Sequence, residues 1–108
     1  CSMPALLKGF YDRILLPGWA FKYHKTGVLW DRLLKGRSAR LIVTSDSPAL
    51  YNRIVHRNSP IRISRNMILK FCGFDPVKVT TIGSVRHLSD SKRRASLAKI
   101  QQLGQHGK

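Results

Sequence analysis

The sequence predicts an α/β fold with a doubly wound parallel sheet that is incomplete in this chain, with two strands and three helices. Two short runs, 40–44 and 76–83, are rich in β-branched and other apolar residues, which is typical of parallel strands covered on both faces. Helical patterns lie before, between and after these runs, and this alternation favours the α/β class. Because two parallel strands cannot bury both of their faces alone, we expect the chain to be one part of a larger domain.

The first helix is predicted to begin at Pro4. Ser2 can cap the free backbone amides, and proline suits a first turn because its missing N–H is not needed there. Pro17-Gly18 ends the helix. Apolar residues recur at every fourth position and give this helix a wide apolar face: Leu6, Phe10 and Ile14.

The segment from Trp19 to Gly36 is rich in aromatic residues and is interrupted by Gly27. We expect a long loop with a short helical turn near 29–34. Such a connection is either a packed surface flap or a functional or interface loop, and the sequence leaves both open.

A polar loop follows the first predicted strand, Arg40–Thr44. Its residues are Thr44, Ser45, Asp46 and Ser47, followed by Pro48. In open α/β sheets ligands bind beyond the carboxyl ends of the strands, so this loop is a candidate binding edge. The stretch from 51 to 60 shows no clear period.

A second helix is predicted over 61–71. Gly73 follows it at the position that favours a left-handed C-terminal cap. Four side chains are expected on the core face of this helix: Ile61, Met67, Ile68 and Phe71.

The last helix is predicted to begin at Ser89-Asp90 and to reach Leu103. Its inward residues are expected to be Leu97, Ile100 and Leu103. Residues 105–108 are expected to be frayed, as chain ends often are.

The charge balance is strongly basic, with 20 Lys and Arg against 5 acidic residues and a formal net charge of +15. Such an excess attracts polyanions. The basic residues are spread along the chain, however, and only Lys92-Arg93-Arg94 forms a run. We therefore favour a solvated basic surface over a site specific for nucleic acid. The chain is not disordered, because its 43% of hydrophobic residues are enough for a core.

The cysteines and histidines predict neither disulfides nor a metal site. Two cysteines, Cys1 and Cys72, do not make a disulfide scaffold. Cys72 lies in an apolar stretch and is predicted to be a buried free thiol, which fits the reducing cytoplasm. The four histidines lack metal-ligand spacing, and no apolar run is long enough to span a membrane.

Three stretches resemble the flavodoxin-like NAD(P)H dehydrogenase (quinone) family. The first stretch resembles a helix of that family and runs Pro4-Ala5-Leu6-Leu7-Lys8-Gly9-Phe10-Tyr11-Asp12-Arg13. The second resembles the segment after that helix and runs Pro17-Gly18-Trp19-Ala20-Phe21. The third resembles the end of a later helix and runs Leu69-Lys70-Phe71-Cys72-Gly73-Phe74. With the two strands, the resemblance covers nearly the whole chain. It implies that residues 1–108 are the carboxyl-terminal part of a flavodoxin-like domain, with the last two of five parallel strands.

The resemblance implies an FMN-dependent NAD(P)H:quinone oxidoreductase, with FAD as the second choice of flavin. No strand-loop-helix site for the flavin phosphate stands out, so we expect that part to be missing from this chain. The resemblance further implies a homodimer, with the aromatic residues of 19–30 near its interface. The residues implied to line the flavin ring are Cys1, Ser2 and Met3 together with Thr44, Ser45, Asp46 and Ser47.

Two further residues are implied to act on the quinone. Tyr51 follows the polar loop at a spacing where the family has a tyrosine, and His56 lies one residue nearer than the family's histidine. Both would stabilise negative charge on the quinone oxygens in a two-electron, ping-pong hydride transfer. Asp46 has two interpretations, a negative charge that disfavours the anionic reduced flavin, or a turn-capping residue.

Two other functions stay open at this point. The chain is alternatively a non-catalytic truncated remnant or interaction module, which the expected absence of a phosphate site favours. A small basic nucleic-acid-binding protein is the third hypothesis, and it depends on net charge alone.

Overall fold

Two parallel strands form the centre of the fold in the computed structural model, which describes residues 3–55, 57 and 59–108. β3 (Ala39–Thr44) and β4 (Val77–Ile82) pair in parallel over six residues each, from Ala39 beside Val77 to Thr44 beside Ile82. The remaining elements are α1 (Ala5–Ile14), β1 (Phe21–Tyr23), β2 (Trp30–Arg32), α2 (Ala49–Ile54), α3 (Ser59–Arg62), a π-helix (Ile63–Leu69), α4 (Lys70–Cys72), a 3-10 helix (Val85–His87) and α5 (Asp90–Gln105). The prediction of an α/β fold with a parallel sheet is confirmed.

The two faces of the sheet differ in burial. Because side chains alternate along a strand, Arg40 and Ile42 share one face with Lys78 and Thr80, their register partners. Val77, on the other face, is buried, whereas Ile42 is 48% exposed. The sheet therefore keeps exposed apolar surface, as expected for two strands without further neighbours.

The segment from Trp19 to Gly36 contains a β-hairpin, so the prediction of a loop with a helical turn near 29–34 was wrong. β1 and β2 pair in antiparallel orientation, with Phe21 opposite Arg32 and Tyr23 opposite Trp30. Gly27, with φ +93°, lies in the connection between them. These two short strands are additional to the two strands predicted from sequence.

Contacts with a distant helix explain why the hairpin forms. The indole of Trp30 stacks on the ring of Phe71 at 4.6 Å, and its Nε1 donates a hydrogen bond to the Phe71 carbonyl at 2.9 Å. Phe21 meets the same ring edge-on at 4.9 Å. The buried residues Ala20, Leu34 and Cys72 form the core between the hairpin and this helix end.

The helix predicted over 61–71 is observed as consecutive helical turns, but the predicted inward face is wrong in part. Met67 is 72% exposed, whereas Leu69 and Ser64 are buried. The central residues 63–69 are π-helical, so their i→i+5 bonding does not keep side chains in the 3.6-residue rows that the prediction assumed. Gly73 caps this helix with φ +114°, in the left-handed conformation predicted for it.

The last helix begins as predicted and runs slightly further. The Ser89 hydroxyl accepts a hydrogen bond from the Lys92 amide, and α5 ends at Gln105. Leu97 is 67% exposed, so its predicted inward position was wrong. Fraying of residues 105–108 stays a prediction. In the structure Arg40 Nε donates a hydrogen bond to the Lys108 backbone oxygen at 2.6 Å, and fraying would break this bond.

The first helix is present, with an apolar face left open to solvent. Pro4 occupies its N-cap position, and the predicted cap Ser2 lies outside the described residues. Leu6 is 90% exposed and Phe10 is 55% exposed. The Cα radius of gyration is 16.2 Å, against about 13 Å for a closed domain of this length, so the fold is open. No helix among the described residues has the length and apolarity to cross a bilayer.

Candidate functional site

Two polar loops meet at the carboxyl edge of the parallel strands. β3 and β4 end at the same level, so the loop 44–47 lies beside the loop 83–88. Two backbone hydrogen bonds join them, from the Ser84 amide to the Ser47 carbonyl at 3.2 Å and from the Val85 amide to the Ser45 carbonyl at 3.1 Å. A third, from the Ser45 amide to the Ile82 carbonyl at 3.0 Å, ties the first loop to the end of β4. This double loop occupies the position where ligands bind in open α/β sheets.

The first of these loops forms a tight turn that its own serine stabilises. The Ser47 amide donates to the Ser45 hydroxyl at 3.1 Å, which is the local bonding that favours serine in turns. Thr44 and Asp46 are exposed, and Ser45 and Ser47 are half-buried. Ser45 thus makes one bond that stabilises this turn, and the turn-capping interpretation of Asp46 stays a prediction.

Asp46 contacts an arginine of the second loop. Arg86 Nε lies 2.9 Å from Asp46 Oδ2, and both side chains are mostly exposed. Arg93 supports this loop, because its Nη2 donates to the carbonyls of Val85 at 3.2 Å and of Arg86 at 3.4 Å. The negative charge of Asp46 is thus accompanied by a positive charge at the same edge.

Sequence reasoning missed Arg86 and the whole loop after β4. The signal was available, because this loop also follows the carboxyl end of a predicted parallel strand, and both such ends meet at one edge. What the sequence could not supply was the pairing of Asp46 with Arg86, which are 40 residues apart.

The other predicted site residues are placed as follows. Met3 is half-buried just before α1, and Tyr51 lies in α2 with a side chain that is 49% exposed. The Tyr51 carbonyl accepts the Val55 amide at 2.8 Å. Cys1, Ser2 and His56 lie outside the described residues. Among the predicted site residues, those of the loop 44–47 lie together, and the structure places the loop 83–88 beside them.

The double loop suits the polar edge of a flat heterocycle. Its hydroxyls both donate and accept hydrogen bonds, and the carboxylate of Asp46 and the guanidinium of Arg86 add one charge of each sign. These groups fit the mixed donors and acceptors on the edge of a flavin ring. No cluster of three or more His, Cys, Asp or Glu side chains suited to a metal ion occurs in the described part of the chain.

Comparisons with known proteins identify the family to which this fold belongs. The family described as "Flavodoxin-like fold" matches residues 1–106. Rat NAD(P)H dehydrogenase [quinone] 1 is 27% identical over 97 residues, covering 85% of this chain, and an uncharacterized NAD(P)H oxidoreductase of Haemophilus influenzae is 28% identical over 100 residues, covering 92%. A crystal structure from Streptococcus mutans is 35% identical, covers 94% of this chain and superposes with a TM-score of 0.80.

The chain is shorter than each of these proteins. It spans 34% of the rat protein, 48% of the Haemophilus protein and 52% of the Streptococcus chain. The family match nevertheless extends over almost all of its residues. The chain therefore belongs to the flavodoxin-like fold family, and its relatives in sequence include NAD(P)H oxidoreductases.

Proposed function

We propose that this chain is part of an FMN-dependent NAD(P)H:quinone oxidoreductase. The observation that carries the proposal is the double loop at the carboxyl edge of β3 and β4, where the loops 44–47 and 83–88 are hydrogen-bonded to each other. The relatives named as NAD(P)H oxidoreductases support the reaction class. The reaction is a two-electron, ping-pong transfer in which NAD(P)H gives a hydride and leaves before the quinone binds.

The loop residues hold the flavin in this proposal. FMN, when bound, supplies the ring that takes up and passes on the hydride. Thr44, Ser45 and Ser47 donate and accept hydrogen bonds at its polar edge, and Cys1, Ser2 and Met3 line its side. Arg86 offsets the charge of Asp46, from which it is 2.9 Å away, so the loop tolerates negative charge on the ligand.

Tyr51 and His56 act on the quinone. The Tyr51 hydroxyl donates a hydrogen bond to a quinone oxygen and stabilises the negative charge that develops there. His56 does the same from the following segment. The proposal further includes a homodimer, a cytoplasmic location and a flavin phosphate held by residues outside this chain.

Flavin binding and kinetics of the full-length protein test this function. We expect the purified protein to show visible flavin absorbance and to oxidise NAD(P)H with a quinone, giving parallel double-reciprocal lines. Arg86→Gln leaves Asp46 unpaired, so kcat/KM for the anionic NAD(P)H should fall by about threefold. Arg94→Gln removes the same charge elsewhere on the surface and should change kcat/KM little. A protein free of flavin that does not oxidise NAD(P)H would refute the proposal.

A non-catalytic interaction module is the second candidate, and the exposed apolar surface favours it. Leu6 and Phe10 on α1 and Ile42 on β3 all present apolar side chains to solvent. Exposed apolar surface on a helix or a sheet is the kind of surface that interaction modules use. The two candidates differ in one measurement, because an interaction module requires no flavin. Stoichiometric flavin in the purified protein would exclude it.

A further inference from the structure

The β-hairpin ends in an apex that presents aliphatic side chains to solvent. The His24 amide donates a hydrogen bond to the Leu29 carbonyl at 3.1 Å, so the pairing continues one step beyond β1 and β2, and residues 25–29 form the apex. Within it, Val28 is 90% exposed and Leu29 is 67% exposed. Turns are dominated by Gly, Pro, Asn, Asp and Ser, so the turn itself does not explain a valine and a leucine side by side at this position.

The hairpin directly behind the apex is anchored to the rest of the fold. Trp30, the residue after Leu29, stacks on Phe71 at 4.6 Å and donates a hydrogen bond to the Phe71 carbonyl at 2.9 Å. Tyr23, opposite Trp30 in the hairpin, has its ring 6.4 Å from the same ring of Phe71. An element that is fixed in place before it binds loses less conformational freedom on binding, so the apex is presented on a stable support.

Basic side chains accompany the apolar apex. Lys25 lies within the apex, and Lys22 and Lys35 lie close enough to Asp31 for their charges to lower the pKa of its carboxyl. All three lysines are exposed. Asp31 is the single acidic residue in the sequence from 19 to 36, and its carboxylate is already hydrogen-bonded to His24 at 2.9 Å. The hairpin therefore carries net positive charge beside its aliphatic apex.

The small size of this apolar apex favours a lipid surface over a protein partner. A stable protein interface buries about 800 Å² on each partner, and two aliphatic side chains supply only a small part of that area. Attachment to a membrane interface needs less apolar area, because shallow insertion adds to the attraction between basic residues and anionic lipids. The apex and the lysines around it supply both contributions.

We propose that the apex attaches this chain peripherally to membranes that contain anionic lipids. Val28 and Leu29 insert their side chains at the level of the lipid head groups, and Lys25 contacts the lipid phosphates, with Lys22 and Lys35 adding charge behind it. The apex contains none of the aromatic residues that are expected near a homodimer interface. The attachment is independent of the proposed oxidoreductase activity, because it uses the hairpin and not the double loop.

Sedimentation of the chain with lipid vesicles at physiological ionic strength tests the proposal. We expect binding to vesicles of phosphatidylglycerol and phosphatidylcholine in equal parts, and binding about tenfold weaker to phosphatidylcholine alone. Leu29→Ser keeps every charge and should weaken binding to the mixed vesicles by about tenfold, because it removes apolar area that inserts. Lys25→Gln should weaken this binding by about fivefold, the loss of one charge near the lipid surface.

A matched variant distinguishes the apex from general attraction by the basic surface. Leu97 on α5 is 67% exposed, as Leu29 is, so Leu97→Ser removes the same apolar group elsewhere and should leave binding within about twofold of the parent chain. Circular dichroism checks that each variant is folded. Equal vesicle binding by the parent chain, Leu29→Ser and Leu97→Ser would overturn the proposal. So would a loss of self-association in Leu29→Ser with unchanged vesicle binding, because the apex would then contact a second copy of the chain.

Discussion

At the residue scale, Gly73 differs from the other glycines of positive φ that the structure describes, because a side chain there would meet the neighbouring backbone closely. Its φ of +114° is a conformation that side chains rarely adopt. A Cβ built there would lie 3.0 Å from the Lys35 amide nitrogen and 3.1 Å from the Leu34 carbonyl carbon. The glycine thus serves both the helix end and the close approach of the hairpin segment, which places Leu34 against Cys72 in the core.

Gly73→Ala is therefore expected to destabilise the chain by on the order of 3 kcal/mol, from backbone strain and the clash with the 34–35 backbone. Gly9→Ala is the control, because a Cβ at this helical position meets nothing within 4 Å. That change should stabilise the chain by about 1 kcal/mol. Urea unfolding measures both, and equal midpoints for the two variants would contradict the assignment.

The carboxyl of Asp31 is a second residue-scale feature. The hydrogen bond from His24, with Nε2 2.9 Å from Oδ1, lowers the pKa of Asp31 below its ordinary value, and the charges of His24, Lys35 and Lys22 act in the same direction. Because the folded-state pKa is depressed, the folded chain binds fewer protons at this group. The contribution to stability is thus present above the unfolded pKa and is lost as pH falls through the folded pKa.

We expect a carbon-detected NMR titration to show the Asp31 carboxyl with a depressed midpoint in the parent chain. In His24→Ala this midpoint should rise towards that of an unfolded peptide, because the hydrogen bond is the largest cause of the depression. Identical midpoints in the two proteins would show that His24 does not act on this carboxyl.

At the scale of elements, the β-hairpin is held in place by aromatic contacts with the end of the helical segment 59–72. Trp30 both stacks on Phe71 and donates a hydrogen bond to its carbonyl. The two residues are 41 positions apart, and their contact packs the hairpin and the helix end into one unit of the structure. This unit contains the core residues Ala20, Leu34 and Cys72.

Trp30→Phe retains an aromatic ring but loses the indole N–H. The partly buried Phe71 carbonyl then lacks this donor, and we expect a loss of about 1 kcal/mol in the free energy of unfolding. Trp19→Phe removes an indole from a side chain that is 56% exposed, so it should cost less than about 0.5 kcal/mol. Chemical denaturation of both variants measures the difference, and a larger loss for Trp19→Phe would contradict the role of Trp30.

At the scale of the whole molecule, the structure is extended, with dimensions of 54 × 33 × 22 Å. The helix α1 and one face of β3 leave apolar side chains exposed, and five apolar residues are buried in the described chain. A chain of this length would need more buried apolar surface to offset the entropy that folding costs. The exposed faces are thus the place where further polypeptide would add most stability.

Small-angle scattering of the 108-residue chain checks this openness. We expect a radius of gyration near the 16.2 Å of the Cα atoms, slightly larger once side chains and hydration contribute. Collapse of α1 onto the sheet would instead bring it towards about 13 Å, and that result would contradict the open arrangement. A dilution series separates the monomer from any association through the apolar faces.

The candidate site was predictable only in part. The loop 44–47 was recognisable because a strand covered by apolar residues ends there, and a rule of α/β sheets assigns ligands to that edge. Arg86 was not found, since its role depends on a contact with Asp46 across two loops. Whether Tyr51 and His56 act on a quinone stays a prediction.

Local pattern alone was sufficient for α1, the two parallel strands, the Ser89 cap and the left-handed Gly73, because period, capping and backbone freedom are properties of neighbouring residues. Tertiary structure decided the hairpin, the exposure of Met67 and Leu97, and the pairing of Asp46 with Arg86. These depend on contacts between residues far apart in the chain, such as Trp30 with Phe71. Packing between distant segments selects among conformations that local preference leaves nearly equal in energy.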